Sequence, residues 1–365
     1  MGIIKKIFQQ HAHEYLDRYG DRMPEVHRKV IRAILNCKTD GCGITRFQCE
    51  KCGANHIFPL SCGNRHCPNC QYNKSRLWLD RQRQKQLPGH HFMVTFTMPG
   101  QIRDFLRSHQ KKGYGAMFAA AAGTMKKLAA DPKYMGGDLP GFFGVLHTWG
   151  RTLQYHPHIH FVVAGGAFSS RDKLYHPSRN RFYLPIKAMS VIFRAKFKDL
   201  MRKNRLLHLI PPEVWTMDWN VNCQPVGHSE AAMKYLAPYV FRVAISDSRI
   251  ISCKDRRVSF RYKKKGSNRP RVMELDVMEF IRRFLQHVLP SGFMKIRYYG
   301  FMHPCCSMDL DTVRKKICAA LETLLPVITQ KKQEPHLPVC PYCKGILVFV
   351  AFYPPPPARS NFAPG

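Results

Sequence analysis

Fourteen cysteines and eighteen histidines give this 365-residue chain most of its chemical options. Cys49-Glu-Lys-Cys52 and Cys67-Pro-Asn-Cys70 form two CxxC pairs with 14 residues between them. Each pair can wrap two thiolates around one corner of a metal, and two such knuckles complete the four-thiolate set of structural zinc. A segment this poor in aliphatic residues needs the metal in order to fold. Cys37, Cys42, His56, Cys62 and His66 fall in the same stretch, and a set such as Cys37, His56, Cys62 and His66 would suit a second zinc. Cys340-Pro-Tyr-Cys343 is half a site, which Cys305, Cys306 or His303 could complete. Lys51, Arg65, Lys74 and Arg76 surround the cluster and suit phosphate contacts.

A second constellation is His156-Pro-His158-Ile-His160-Phe-Val-Val. Alternation along a strand puts His158 and His160 on one face, about 6.6 Å apart, so that both imidazoles can converge on one ion. Ile159 points the other way, into a core. Gln154, His156 and His147 are the candidates for a third ligand. In a third constellation, Tyr235-Leu-Ala-Pro-Tyr239 sets two phenols four residues apart, close to one helix face, with Lys234 and Arg242 beside them. A phenol titrates near pH 10 and is a poor nucleophile at neutral pH, but nearby cations or a metal favour its phenoxide.

The elements that must hold these groups alternate between helix and strand. Apolar residues at three- and four-residue spacing predict helices near residues 4–15, 24–35, 72–87, 102–128, 188–204, 229–235 and 279–289. β-rich runs bounded by Gly and Pro predict strands at 92–98, 142–148, 158–163 and 215–221, and a hairpin from 257–264 and 271–277. The fold class is therefore α+β. The expected division is residues 1–87 as N-terminal helices and zinc-binding domain, 88–250 as catalytic domain with the tyrosine helix, 251–335 as basic α/β extension, and 336–365 as CxxC-containing, Pro-rich extended tail.

Composition limits the partners. Fifty-eight Lys and Arg against 24 Asp and Glu leave a formal charge of +34. Self-repulsion on that scale calls for a polyanion, and nucleic acid is the expected one. The longest apolar runs fall far short of the roughly 20 residues of a membrane-spanning helix. The N-terminus has no signal-peptide apolar core and carries Lys6 where a myristoylation signal has Ser or Thr. CxxC pairs beside histidines favour metal over disulfides in a reducing compartment. The expected location is the cytoplasm of a bacterial-type cell, in association with the nucleoid.

Together these motifs resemble the rolling-circle insertion-sequence transposases of the HUH superfamily, in their two-tyrosine branch. The resemblance runs from Cys37-Lys-Thr39, Gly43, Phe47 and Cys49-x2-Cys52, through Ser61-Cys62-x2-Arg65-His66-Cys67-Pro68-x-Cys70-Gln71, to His158-Ile159-His160. It continues through Lys234-Tyr235-Leu236-x2-Tyr239-Val240 to Ile296-Arg297-Tyr298-Tyr299-Gly300-Phe301. It implies an antiparallel-sheet HUH nuclease core with flanking helices and a central histidine strand, preceded by a small helical, zinc-ribbon-like domain. It further implies a catalytic Mg or Mn ion on His158 and His160, structural Zn, and Tyr235 and Tyr239 as nucleophiles that cleave and rejoin single-stranded DNA through a 5′-phosphotyrosine. Host replication machinery is an expected partner. A departure from the pattern is Pro238, which would kink a helix between the tyrosines. The alternatives are a replication initiator or relaxase with the same chemistry, and a non-catalytic zinc-dependent nucleic-acid-binding protein.

Overall fold

The computed structural model describes residues 2–228, 244–264, 266–267, 269–324 and 337–356, leaving aside the side chains of 72–76. Tyr235, Tyr239, Lys234 and Arg242, and the helix expected at 229–235, lie outside the described residues, as do the side chains of Lys74 and Arg76. The chain divides into two compact units, one built from residues 1–74, 245–288 and 329–365, the other from 75–244 and 289–328.

The first unit gathers segments from both ends of the chain. Helix α1 (Ile3–Tyr19) buries Ile4, Ile7, Phe8, Ala12 and Tyr15, the expected apolar face, and α2 (Glu25–Asn36) buries Val30, Ile31 and Ile34. Against α1 lies the helix Val277–Leu285, through an edge-on contact of Phe8 with Phe284 at 5.2 Å. Asp276 caps that helix, accepting from the Met278 amide at 2.8 Å, as an N-cap carboxylate should. It follows a three-stranded antiparallel sheet of Ile250–Lys254, Arg257–Lys263 and Pro270–Asp276, in which the last two strands form the expected hairpin. A second three-stranded antiparallel sheet contains β1 (Ile44–Cys49), β2 (Asn55–Pro59) and, on the other side of β1, the C-terminal strand Leu347–Tyr353. The segment read from the sequence as an extended tail therefore contributes a paired strand.

The second unit is organised on a six-stranded antiparallel sheet. Its strands are β3 (His90–Thr97), β4 (Leu139–Trp149), β5 (Tyr155–Phe168), β6 (Tyr175–Pro177), Val221–His228 and Ile296–Tyr299. β5 lies between β4 and β3, the central place expected of the histidine strand. One face of the sheet packs against the helices Gln110–Ala130 and Ile186–Lys203, burying Phe92, Phe96, Phe118, Phe142, Phe161, Phe193 and Phe197 completely. The other face holds a smaller cluster of Trp78, Met93, Phe143, Val145 and Val162, and beyond it the histidines. Gly300 ends the strand Ile296–Tyr299 with φ +59°, and a Cβ there would strike the Pro140 carbonyl oxygen, which explains glycine in the IRYYGF signature.

The strand expected at 215–221 begins later. Pro212–Trp215 is a short 3-10 turn and the strand starts at Val221. Trp215 and Trp219 stack with rings 6.0 Å apart, and Trp219 Nε1 donates to the Val214 carbonyl at 2.9 Å, so aromatic enrichment here serves a folded turn. Phe193 packs on Phe96 at 4.9 Å and on Trp219 at 5.2 Å. Phe193→Ala should therefore cost about 3–5 kcal/mol in denaturant titration, and Phe193→Leu distinctly less. A loss below about 1 kcal/mol for the alanine would show that this helix does not close the core.

Candidate metal centres and active site

β5 presents His158 and His160 on one face while Ile159 between them is fully buried on the other. The antiparallel register sets His147 of β4 directly opposite His158. The three histidines place their ligand nitrogens within 4.8 Å of one another. Of the three candidates for a third ligand, the structure brings in His147. Gln154 lies in the β4–β5 turn, its carbonyl bound by the Gly150 amide at 2.8 Å, and His156 Nδ1 accepts from Arg103 Nη2 at 3.1 Å. Trp149 stacks on His147 with rings 4.9 Å apart, and Lys295 Nζ stands 4.9 Å above the same indole.

The outer contacts orient the rings. His158 Nδ1 donates to the His156 carbonyl at 2.6 Å, and His160 Nδ1 shares a hydrogen bond with Thr95 Oγ1 at 2.9 Å. A second contact of this kind sets the tautomer and ring direction of a ligating histidine. Burial pulls His158 down to about 3, helped by the charge of His160, and burial pulls His160 down to about 4. Both are neutral at pH 7, the state that binds metal. Thr95 and Arg103 have no signature in the sequence, and His147 is one of three third-ligand candidates that the sequence leaves open.

The cysteines assemble differently from the expected pairing. Cys49 and Cys52 do not meet Cys67 and Cys70. They lie with Cys340 and Cys343, while Cys67 and Cys70 lie with Cys37 and Cys62. Nor do Cys305, Cys306 and His303 complete the C-terminal pair. His56 and His66, expected in a second zinc set, fall outside both tetrads. His56 Nε2 lies 3.3 Å from Cys340 Sγ, and the His66 amide donates to Asn64 Oδ1 at 2.8 Å. Cys42 is also outside, its thiol raised by burial and by Cys70. Each knuckle aims backbone amides at its first sulfur. The amides of Cys52 and Lys51 help bring Cys49 down to about 7, and at Cys340 burial raises the thiol but the amides of Cys343 and Tyr342, with His56 and Cys52, together lower it. Of the residues expected to contact DNA, Lys51 is exposed in the β1–β2 turn and Arg65 is partly buried.

Comparison with known proteins decides the family. Residues 7–98 match the family described as "Transposase zinc-binding domain", of IS91 type, and residues 141–309 match "Putative transposase". A "Putative transposase y4qJ" of Sinorhizobium fredii (strain NBRC 101917 / NGR234) is 35% identical over 320 residues, 82% of this chain and 80% of the relative. The chain belongs to the IS91-type transposase family. A "Transposase for insertion sequence element IS801" of Pseudomonas savastanoi pv. phaseolicola is 23% identical over 326 residues, 84% of this chain and 77% of that one. No solved structure matches. Among the described residues of this transposase, no helix is long and apolar enough to cross a membrane.

The zinc implied by the family fits the sulfur geometry. Four sulfurs about 2.3 Å from one zinc stand about 3.8 Å from each other. In one tetrad Cys49–Cys343 and Cys52–Cys340 are 3.4 and 3.8 Å apart, and in the other Cys37–Cys70 and Cys62–Cys70 are both 3.6 Å. All eight ligands are thiols, so both centres are closed and structural. The purified transposase should carry two zinc ions per chain. Cys340→Ser with Cys343→Ser should remove one of them, and Cys62→Ser with Cys67→Ser the other, by elemental analysis. One zinc in the parent, or none lost from the C-terminal double variant, would contradict the pairing.

The histidines set a pH dependence. Because folded His158 and His160 titrate near 3 and 4, below the roughly 6.5 of an unfolded histidine, the unfolded chain takes up protons that the folded chain refuses. Their contribution to stability is full above about pH 6.5 and is lost as pH falls through that window. Without added Mg or Mn, His158→Gln and His160→Gln should each flatten the fall in melting temperature between about pH 6.5 and 4. Superimposable curves for parent and variants would mean that the imidazoles are hydrated in the fold.

Proposed function

We propose that this transposase cleaves and rejoins single-stranded DNA at insertion-element ends through a 5′-phosphotyrosine intermediate, as in rolling-circle transposition. The observation that carries the reading is the convergence of His147, His158 and His160, neutral and oriented by their Nδ1 contacts, on one face of the central strands of the sheet. Three imidazoles suit Mn, and Mg with added oxygen ligands. Bound there, the ion would offset negative charge developing on the scissile phosphate.

The protein's own part is nucleophilic. The phenol oxygen of Tyr235 or Tyr239 attacks phosphorus, the bond from phosphorus to the 3′ oxygen breaks, and the proton passes to the leaving 3′ oxygen. Lys234 and Arg242 adjoin the tyrosines in sequence and would favour the phenoxide. Exchange of one phosphoester for another conserves the bond energy, so a later 3′-hydroxyl can displace the tyrosine without a nucleotide cofactor. A second phenol allows a second transesterification before the first end is released, and host replication machinery would extend the freed 3′-hydroxyl. Lys51, Arg65, Lys74 and Arg76 would hold the DNA backbone beside the zinc centres, in the cytoplasm and on the nucleoid.

The test is covalent capture. A labelled single-stranded oligonucleotide from the element's own end, with Mn or Mg, should form a protein–DNA adduct that chelation prevents. His158→Ala or His160→Ala should abolish the adduct while DNA affinity stays within about twofold, since affinity rests on dispersed phosphate contacts. Tyr235→Phe and Tyr239→Phe should have unequal effects, with Pro238 making their settings different, and together should eliminate the adduct. An adduct from the double Phe variant would place the nucleophile elsewhere.

A further inference from the structure

The sheet of β2, β1 and Leu347–Tyr353 carries on one face a row of rings that neither zinc coordination nor the histidine site uses. Phe47 sits at its middle, edge-on to Phe58 at 5.6 Å and to Phe349 at 5.8 Å. His56 stacks on Phe58 at 6.4 Å, and Tyr342 lies against His56 at 5.5 Å. Phe352, opposite Thr45 in the register, extends the row along the same face. Phe58, Phe349 and Phe352 of the two edge strands and Tyr342 of the adjoining knuckle are 42%, 54%, 52% and 79% exposed, large values for aromatic rings. They cannot collapse inward, because the space under Phe47 is filled by Cys49, Cys340, Cys343 and Leu347 of the zinc centre.

An exposed apolar patch of this kind marks an interaction surface. Its chemistry selects the occupant. The row is built of flat rings, where a groove for a protein helix would favour branched aliphatic side chains. Glu50 is the sole carboxylate in residues 44–67 and 338–356, against Arg46, Lys51, Arg65 and Lys344. Lys51 and Lys344 ride on the two knuckles of one zinc centre, where Gly345 approaches the Lys51 side chain. A ligand with stackable faces and a polyanionic backbone meets both features, and unpaired nucleic acid has them.

We propose that this face is a stacking platform for the unpaired bases of single-stranded DNA, with phosphates running past Lys51 and Lys344. The proposal rests on the reading that the transposase handles single strands. Three of the platform's rings, Tyr342, Phe349 and Phe352, come from beyond the matched zinc-binding domain, residues 7–98. The Cys49–Cys52–Cys340–Cys343 zinc is what delivers them to β1.

The full-length zinc-loaded protein is titrated, by fluorescence anisotropy, against labelled oligothymidine of roughly 16 nucleotides and against a duplex of equal length. Phe58→Ala and Phe349→Ala should each weaken oligothymidine binding roughly 5- to 100-fold and leave duplex binding within about twofold. Phe349→Leu, which keeps apolar bulk but loses the ring, should weaken it as well, and Phe349→Trp should restore it. Zinc content should remain that of the parent in every Phe variant. Cys340→Ser with Cys343→Ser should lose single-strand affinity together with its zinc. Unchanged oligothymidine affinity in zinc-replete Phe variants would overturn the proposal. So would a parent that is dimeric by light scattering and becomes monomeric on these changes, since the face would then join two copies of the chain. Failure of the catalytic reading shows separately, as a parent protein that forms no adduct with the single-stranded oligonucleotide in Mn or Mg.

Discussion

Four sulfurs can surround one zinc only when they stand about 3.8 Å apart, and in this transposase half of one such set comes from each end of the chain. The pair Cys49–Cys343 closes a loop spanning 294 positions, where the expected pairing with Cys67 would have closed one of fewer than twenty. Each doubling of loop length costs about 0.6 kcal/mol, so about four doublings make the longer closure dearer by roughly 2.4 kcal/mol. Zinc held by four thiolates contributes roughly 10–16 kcal/mol at neutral pH. The metal outweighs the chain entropy, and the pairing of Leu347–Tyr353 with β1 lowers the remaining cost by holding Cys340 and Cys343 near the site.

The histidine site follows a different logic, in which the sheet does the positioning. Two ligands come from alternation along β5 and the third from the antiparallel register with β4. The opposite face of β5 carries Ile159, Phe161 and Val163 in the main core, so a rotation of the strand would expose that core. This packing fixes the direction of the imidazoles, and contacts with Thr95 and the His156 carbonyl set the ring tautomers of His160 and His158. The same packing partly dries the rings, which keeps them neutral and ready to bind metal.

Local chemistry was legible in the sequence and distant partnership was not. The HxH alternation, the hairpin of Arg257–Lys263 with Pro270–Asp276 and the CxxC knuckles all depend on residues within a few positions of one another, whereas the central place of the histidine strand was implied only by the family resemblance. The partners of each knuckle depend on topology, and thiol spacing alone does not determine which of several pairs share an ion. Cys340 and Cys343 look like half a site because their other half lies nearly three hundred residues earlier. Leu347–Tyr353 was hidden by the prolines that follow it, and Trp215 mimicked a strand because a stacked indole pair and a β-run have the same composition.

A chain made from its N-terminus reaches Cys340 and Cys343 after the other six thiol ligands. Until then Cys49 and Cys52 have two thiols where their zinc needs four, and β1 pairs with β2 alone. The Cys37, Cys62, Cys67 and Cys70 centre has no such wait, because its ligands emerge together. The second tetrad can therefore be completed only after Cys343 has been made. A product cut short by a nonsense codon or a frameshift would hold one zinc and an unfinished ribbon. Occupancy of both centres is thus a mark that the chain extends past Cys343.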